Sequence, residues 1–151
     1  MTTIHQHQAL HVVGIELRTS NAEAHRTIPP HWQRFVAEAV LQSIPDRLSD
    51  EVYVVYTHYE HAGVDNAGIY SCVIGAAVPP AGVAALAPGL VRVVVPASRR
   101  VVLPVPGGRP DRVYETWQAS WARQDLARTC IADHEHYRAD GGIDLSIGVA
   151  A

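Results

Sequence analysis

The chain has 151 residues, 48% of them hydrophobic and 18% charged, which is enough apolar material for a buried core and too little charge for a disordered segment. The formal net charge is −3, and the positive charge is all arginine with no basic run, so a dedicated nucleic-acid binder is not expected. Cys72 and Cys130 lie far apart and form no C-x-x-C pair, which argues against a disulfide framework and fits a reducing cytoplasm.

Residues 1–9 are polar and predict a frayed start, without the basic and apolar regions of a secretory signal. Residues 11–19 alternate Val13, Ile15 and Leu17 with Gly14, Glu16 and Arg18, which predicts a strand. Thr27 is placed to cap a helix with Pro29 and Pro30 in its first turn. Ile28, Trp32, Phe35, Val36, Ala39 and Val40 then recur at helical spacing, and Pro45 closes the helical region. Residues 51–59 are β-branched and aromatic and predict a strand covered in part on both faces. Residues 63–68 form a turn, and 69–78 form the next strand, antiparallel to the previous one.

Residues 72–91 carry no charge, a length that raises the question of a membrane span. Pro79, Pro80 and Pro88, with Gly75, Gly82 and Gly89, interrupt the run and predict strand, loop (79–89) and strand instead. Short strands follow at 90–95 and 99–105. Gly107-Gly108 turns the chain, and Pro110 with Asp111 opens a second helix that places Val113, Tyr114, Trp117 and Trp121 on one face. A strand is predicted over 131–138, a hairpin turn at Asp140-Gly141-Gly142, and a half-buried strand over 143–149. The order is strand, helix, strand, strand, stated twice with a short strand between. The fold class is therefore α+β: two βαββ units, roughly 11–78 and 90–149, paired around a central cleft within one domain (1–151), with an antiparallel sheet and two helices on one face.

The stretch Asp133-His134-Glu135-His136-Tyr137-Arg138 is the chemically loaded one. In a strand, Asp133, Glu135 and Tyr137 share one face, and His134 and His136 share the other. If Tyr137 marks the inner face, Glu135 is carried inward, where a carboxylate needs a cation or hydrogen-bond donors. The plain alternative is that Glu135 faces solvent or pairs with an arginine such as Arg138. The helical aromatics have two readings of their own, core packing or the lining of a pocket. His134 and His136 have chelating spacing, but no third ligand accompanies them, so no metal is expected. Gly107-Gly108-Arg109 matches no phosphate-loop pattern, and no cofactor is expected.

With these residues in place, the chain resembles the GyrI-like (SOUL-related) small-molecule-binding domain, the effector-binding domain of AraC- and MerR-type multidrug regulators. The resemblance rests on His11-Val12-Val13-Gly14-Ile15 and on Ile28-Pro29-Pro30-His31-Trp32-Gln33-Arg34-Phe35. It continues through Val93-Val94-Val95-Pro96-Ala97, Gly107-Gly108 before Tyr114, Trp117 and Trp121, and His134-Glu135-His136-Tyr137. It implies a glutamate in the pocket at Glu135, with Tyr137 beside it and Trp32, Phe35, Tyr70, Trp117 and Trp121 lining the walls. The implied partner is a cationic or amphipathic aromatic small molecule, with no direct nucleic-acid contact and no membrane. Drug sequestration, or the sensor part of a transcription regulator, is the function that follows. Hydrolysis of electrophilic, cyclopropane-type toxins with Glu135 as general base is a second implication of the family, and restraint of DNA gyrase is a third.

Overall fold

The structure is a computed structural model and describes residues 1–80 and 86–151; the loop expected at 79–89 therefore falls partly, at 81–85, outside the described residues. The strands are β1 (Thr2–Gln6), β2 (Leu10–Ser20), β3 (Val52–Thr57), β4 (Ile69–Val78), β5 (Val91–Val95), β6 (Ser98–Pro104), β7 (Ala132–Tyr137) and β8 (Ile143–Gly148). The helices are α1 (Ala24–Ala37), α2 (Val40–Ser43) and α3 (Val113–Trp121). The strands form one sheet in the order β1-β6-β8-β7-β3-β4-β2-β5, with every named pairing antiparallel.

The two expected βαββ units are present with the same internal topology. In the first, β4 lies between β2 and β3; in the second, β8 lies between β6 and β7. The halves join where β3 pairs with β7. Both long helices cover one face of the sheet. Phe35 of α1, with Val40 and Ile44 beyond it, packs on Val13, Ile15, Val54 and Ile74. Trp117 of α3 packs on Val101, Leu145 and Ile147. Each such aliphatic side chain taken out of water contributes about 1.5–3 kcal/mol.

Three local expectations are corrected. Residues 2–6 are not frayed: they pair with β6 as an edge strand, whose side chains stay largely in water. The helix α1 starts at Ala24, about a turn before Thr27. Thr27 does not cap it; its hydroxyl bonds the Glu23 carbonyl at 3.0 Å and the Thr19 hydroxyl at 2.6 Å, which ties the helix to the end of β2. Pro29 and Pro30 thus sit inside the helix. Pro110 opens a 3-10 turn (Pro110–Arg112), and α3 proper begins at Val113.

The sheet's other face is also buried, with no helix over it among the described residues. Val12, Val55, Val73, Val93, Val95 and Ala132 form a second core there. Strand β5 bonds to β2 at one end of the sheet, yet it also lies against β3 and β7, so the sheet curls over its own back. Gly14 and Gly75, register partners on β2 and β4, permit the curl: a Cβ on Gly14 would sit 2.0 Å from the Ile74 carbonyl oxygen, and one on Gly75 would sit 1.9 Å from that of Val13.

Candidate functional site

Strand β7 runs beside the joint between the two halves, and its alternation sends Asp133 and Glu135 to the helix-covered face. Glu135 is 2% exposed. One carboxylate oxygen accepts the Tyr56 hydroxyl at 2.6 Å and the Trp117 indole N–H at 2.7 Å; the other accepts the Tyr137 hydroxyl at 2.7 Å. Among the described residues no arginine or histidine stands within salt-bridge distance of it, and Arg138 pairs with Asp140 and Asp144 instead. Burial pushes the Glu135 carboxyl above its ordinary value, while the three donors pull it back. The group is a buried carboxylate held by neutral partners, with its charge uncompensated by the described residues.

This carboxylate stands in the wall of a cavity of about 670 Å³ that also exposes Trp32, Tyr56, Tyr114 and Tyr137. That volume suits a drug-sized ligand. Trp32 packs edge-on against Tyr137 with ring centroids 5.1 Å apart, and Tyr56 packs edge-on against Trp117 at 5.5 Å. A second, smaller space of about 50 Å³ shares Ala24, Ile28, Tyr56 and Tyr114 with the first and ends on Tyr59, Tyr70 and Asp133. Asp133 accepts the Tyr59 hydroxyl at 2.8 Å and the Gly148 N–H at 2.8 Å, and Arg100 stands 3.9 Å away. Burial raises the Asp133 carboxyl as well.

The structure distributes the residues singled out from the sequence unevenly. Glu135, Tyr137 and Trp32 meet at the larger space; Tyr70, Trp117 and Trp121 meet at the smaller one. Trp117 bridges the two settings through its bond to Glu135. Phe35 lies behind Trp32, centroids 5.8 Å apart, in the hydrophobic core. Tyr56, Tyr59, Tyr114 and Asp133 were not singled out, although they line the same cleft. Tyr56 was within reach of sequence reasoning, because it shares a strand face with Val52 and Val54. Tyr59 was not. His58 takes a φ of 50°, and this left-handed turn breaks the alternation before Tyr59 reaches the pocket side. On the sheet's other face, His136 stacks on Tyr53 at 4.3 Å and bonds Glu51 at 3.0 Å, while the Nδ1 of His134 is buried without a partner among the described residues.

A family model described as Cass2, integron-associated effector binding protein, matches residues 3–149. No curated protein matches the chain. Among solved structures, the Vibrio cholerae integron cassette protein VCH_CASS2 superposes with a TM-score of 0.75 at 22% identity, over 99% of this chain and 95% of that one. A putative transcription regulation protein of Staphylococcus aureus MU50 gives a TM-score of 0.70 at 14% identity, over 99% and 96%. SAV2435 bound to tetraphenylphosphonium gives 0.76 at 18% identity, over 99% and 93%. At these identities the likeness establishes the shared fold.

Proposed function

The chain belongs to the Cass2 family of integron-associated effector binding proteins, and on that premise we propose that it captures cationic or amphipathic aromatic small molecules in the cleft between its two βαββ halves. The observation that carries this reading is the buried Glu135 carboxylate, bonded to three ring donors, in the wall of an aromatic cavity. Such a carboxylate gains most from a ligand cation whose own hydration is weak. The ring faces add about 0.5–2 kcal/mol of cation–π attraction per favourable contact. The fold shared with a protein bound to tetraphenylphosphonium supports the same ligand chemistry. The 151 residues act as one effector-binding unit, of the multidrug-regulator type, for sequestration or for sensing through a partner. The two free, buried cysteines suit a reducing cytoplasm.

The test is tetraphenylphosphonium binding, followed by quenching of tryptophan fluorescence. Glu135→Gln is expected to weaken binding about tenfold or more, in line with loss of one buried charge-assisted contact. In the wild type, affinity rises with pH through the raised Glu135 pKa, because the ionised form meets the cation; Glu135→Gln removes that rise. Equal affinity of the two proteins at neutral pH overturns the anchor. The raised pKa also suits a general base to water. Three donors already occupy most of the carboxylate's lone pairs, which favours anchoring over proton abstraction, and unchanged recovery of the bound compound distinguishes the two.

A further inference from the structure

The larger space satisfies the cation and the aromatic body of such a ligand, and the smaller one has different chemistry. At about 50 Å³ it is well under the roughly 150 Å³ of a benzene-binding cavity, so it excludes a ring and admits a group of a few heavy atoms. Its polar groups converge from three elements. Asn21, just after β2, accepts the Tyr70 hydroxyl of β4 at 2.9 Å and donates to the Asn66 carbonyl at 3.3 Å. Tyr59, beyond β3, spends its proton on Asp133. Each tyrosine oxygen keeps an acceptor lone pair, and the Asn21 amide keeps a second N–H. Asp133 already has a backbone N–H, a phenol and the nearby Arg100 guanidinium, so the lobe has no call for a second cation.

We propose that the lobe between Asn21, Tyr59 and Tyr70 is a terminal subsite for a small neutral hydrogen-bonding group, a hydroxyl or primary amide, on a short arm of the aromatic cation held at Glu135. This rests on the anchoring reading of Glu135 given above. The reach fits. Asp133 and Glu135 are two residues apart on one strand, about 6.6 Å along it, a distance that an extended arm of four bonds, about 5 Å, covers together with a terminal hydrogen bond of about 2.8 Å. The preferred ligand class is then an aromatic cation with a short polar arm, rather than a symmetric, fully apolar one.

A matched pair of probes tests this: butyltriphenylphosphonium and (3-hydroxypropyl)triphenylphosphonium, equal in arm length and differing in one terminal atom group. In a purely apolar cleft the hydroxyl loses its water contacts without replacement, and the butyl compound binds better. With the subsite, the wild-type protein binds the hydroxypropyl compound about five- to tenfold more tightly. Asn21→Ala, and separately Tyr70→Phe, bring the ratio of the two dissociation constants to one or reverse it. Glu135→Gln weakens both probes and leaves the ratio standing. A wild-type ratio at or below one, or a ratio untouched by both variants, overturns the subsite. A standing ratio with no effect of Glu135→Gln on either probe overturns the anchor alone.

Discussion

Glu135 and His134 are neighbours in the chain and opposites in their electrostatics. Both are buried by the same strand, on opposite faces of the sheet. Burial raises the Glu135 carboxyl above 4.5, so between the unfolded and the folded pKa the folded protein holds a proton there that the unfolded chain has released. Its contribution to stability is best at low pH and is lost as pH rises from the unfolded value through the folded one. Burial, with Arg100 and His136 nearby, lowers the His134 imidazole from 6.5 to about 3. Its contribution is fully present above 6.5 and is lost as pH falls toward 3, at up to about 1.4 kcal/mol per pH unit. Melting temperatures taken without ligand from pH 4 to 8 check both signs. Relative to wild type, Glu135→Gln gains as pH rises through the Glu135 pKa, and His134→Phe gains as pH falls below 6.5. Asp133, raised in the same direction as Glu135, is common to all three proteins and cancels in the differences.

At the scale of elements, the site depends on how strands are bent and helices seated. The curl of β2 and β4 brings β5 across the back of the sheet and buries the second core beneath it. The Gly14–Gly75 pair makes that curl sterically possible. Gly75→Ala is expected to cost about 3 kcal/mol or more, since relief of the contact requires movement of the β2 backbone itself. Urea unfolding measures it; a loss under 1 kcal/mol means the pair is not what shapes the sheet. On the other face, α3 delivers the Trp117 indole to Glu135, and α1 delivers Trp32 to the opposite side of the same space. Pro29, inside α1, adds rigid apolar surface there as part of the cavity wall.

Seen as a whole, the molecule is two like-built halves hydrogen-bonded through β3 and β7, with the cleft above that joint. A ligand bound in the cleft as proposed would touch α1 from one half and the Tyr114 and Glu135 side of the other, and so would favour the assembled state over the unfolded chain. At a ligand concentration a hundred times the dissociation constant, the gain is about 2.7 kcal/mol, roughly 5–10 °C in melting temperature for a chain of this size. Tetraphenylphosphonium is expected to produce that shift at pH 8 and a smaller one at pH 4, where Glu135 is protonated. The same shift at both pH values means that the cation rests on the rings alone.

The sequence by itself determined the element order, the doubled βαββ plan and which residues of β7 share a face, because strand alternation and helical spacing are local properties of consecutive residues. It placed Glu135 and Tyr137 on one side and the two histidines on the other, and so they stand. It misjudged residues 2–6 and the start of α1, because pairing with β6 and the Thr27–Thr19 contact lie far from those segments in the chain or depend on how the helix docks. Only the tertiary structure decided which rings hold the carboxylate. Tyr56 is 79 residues from Glu135 and Trp117 is 18 away, and they meet through strand register and helix seating, which no periodicity encodes. The same is true of Phe35, one helical turn from Trp32 yet folded into the core behind it.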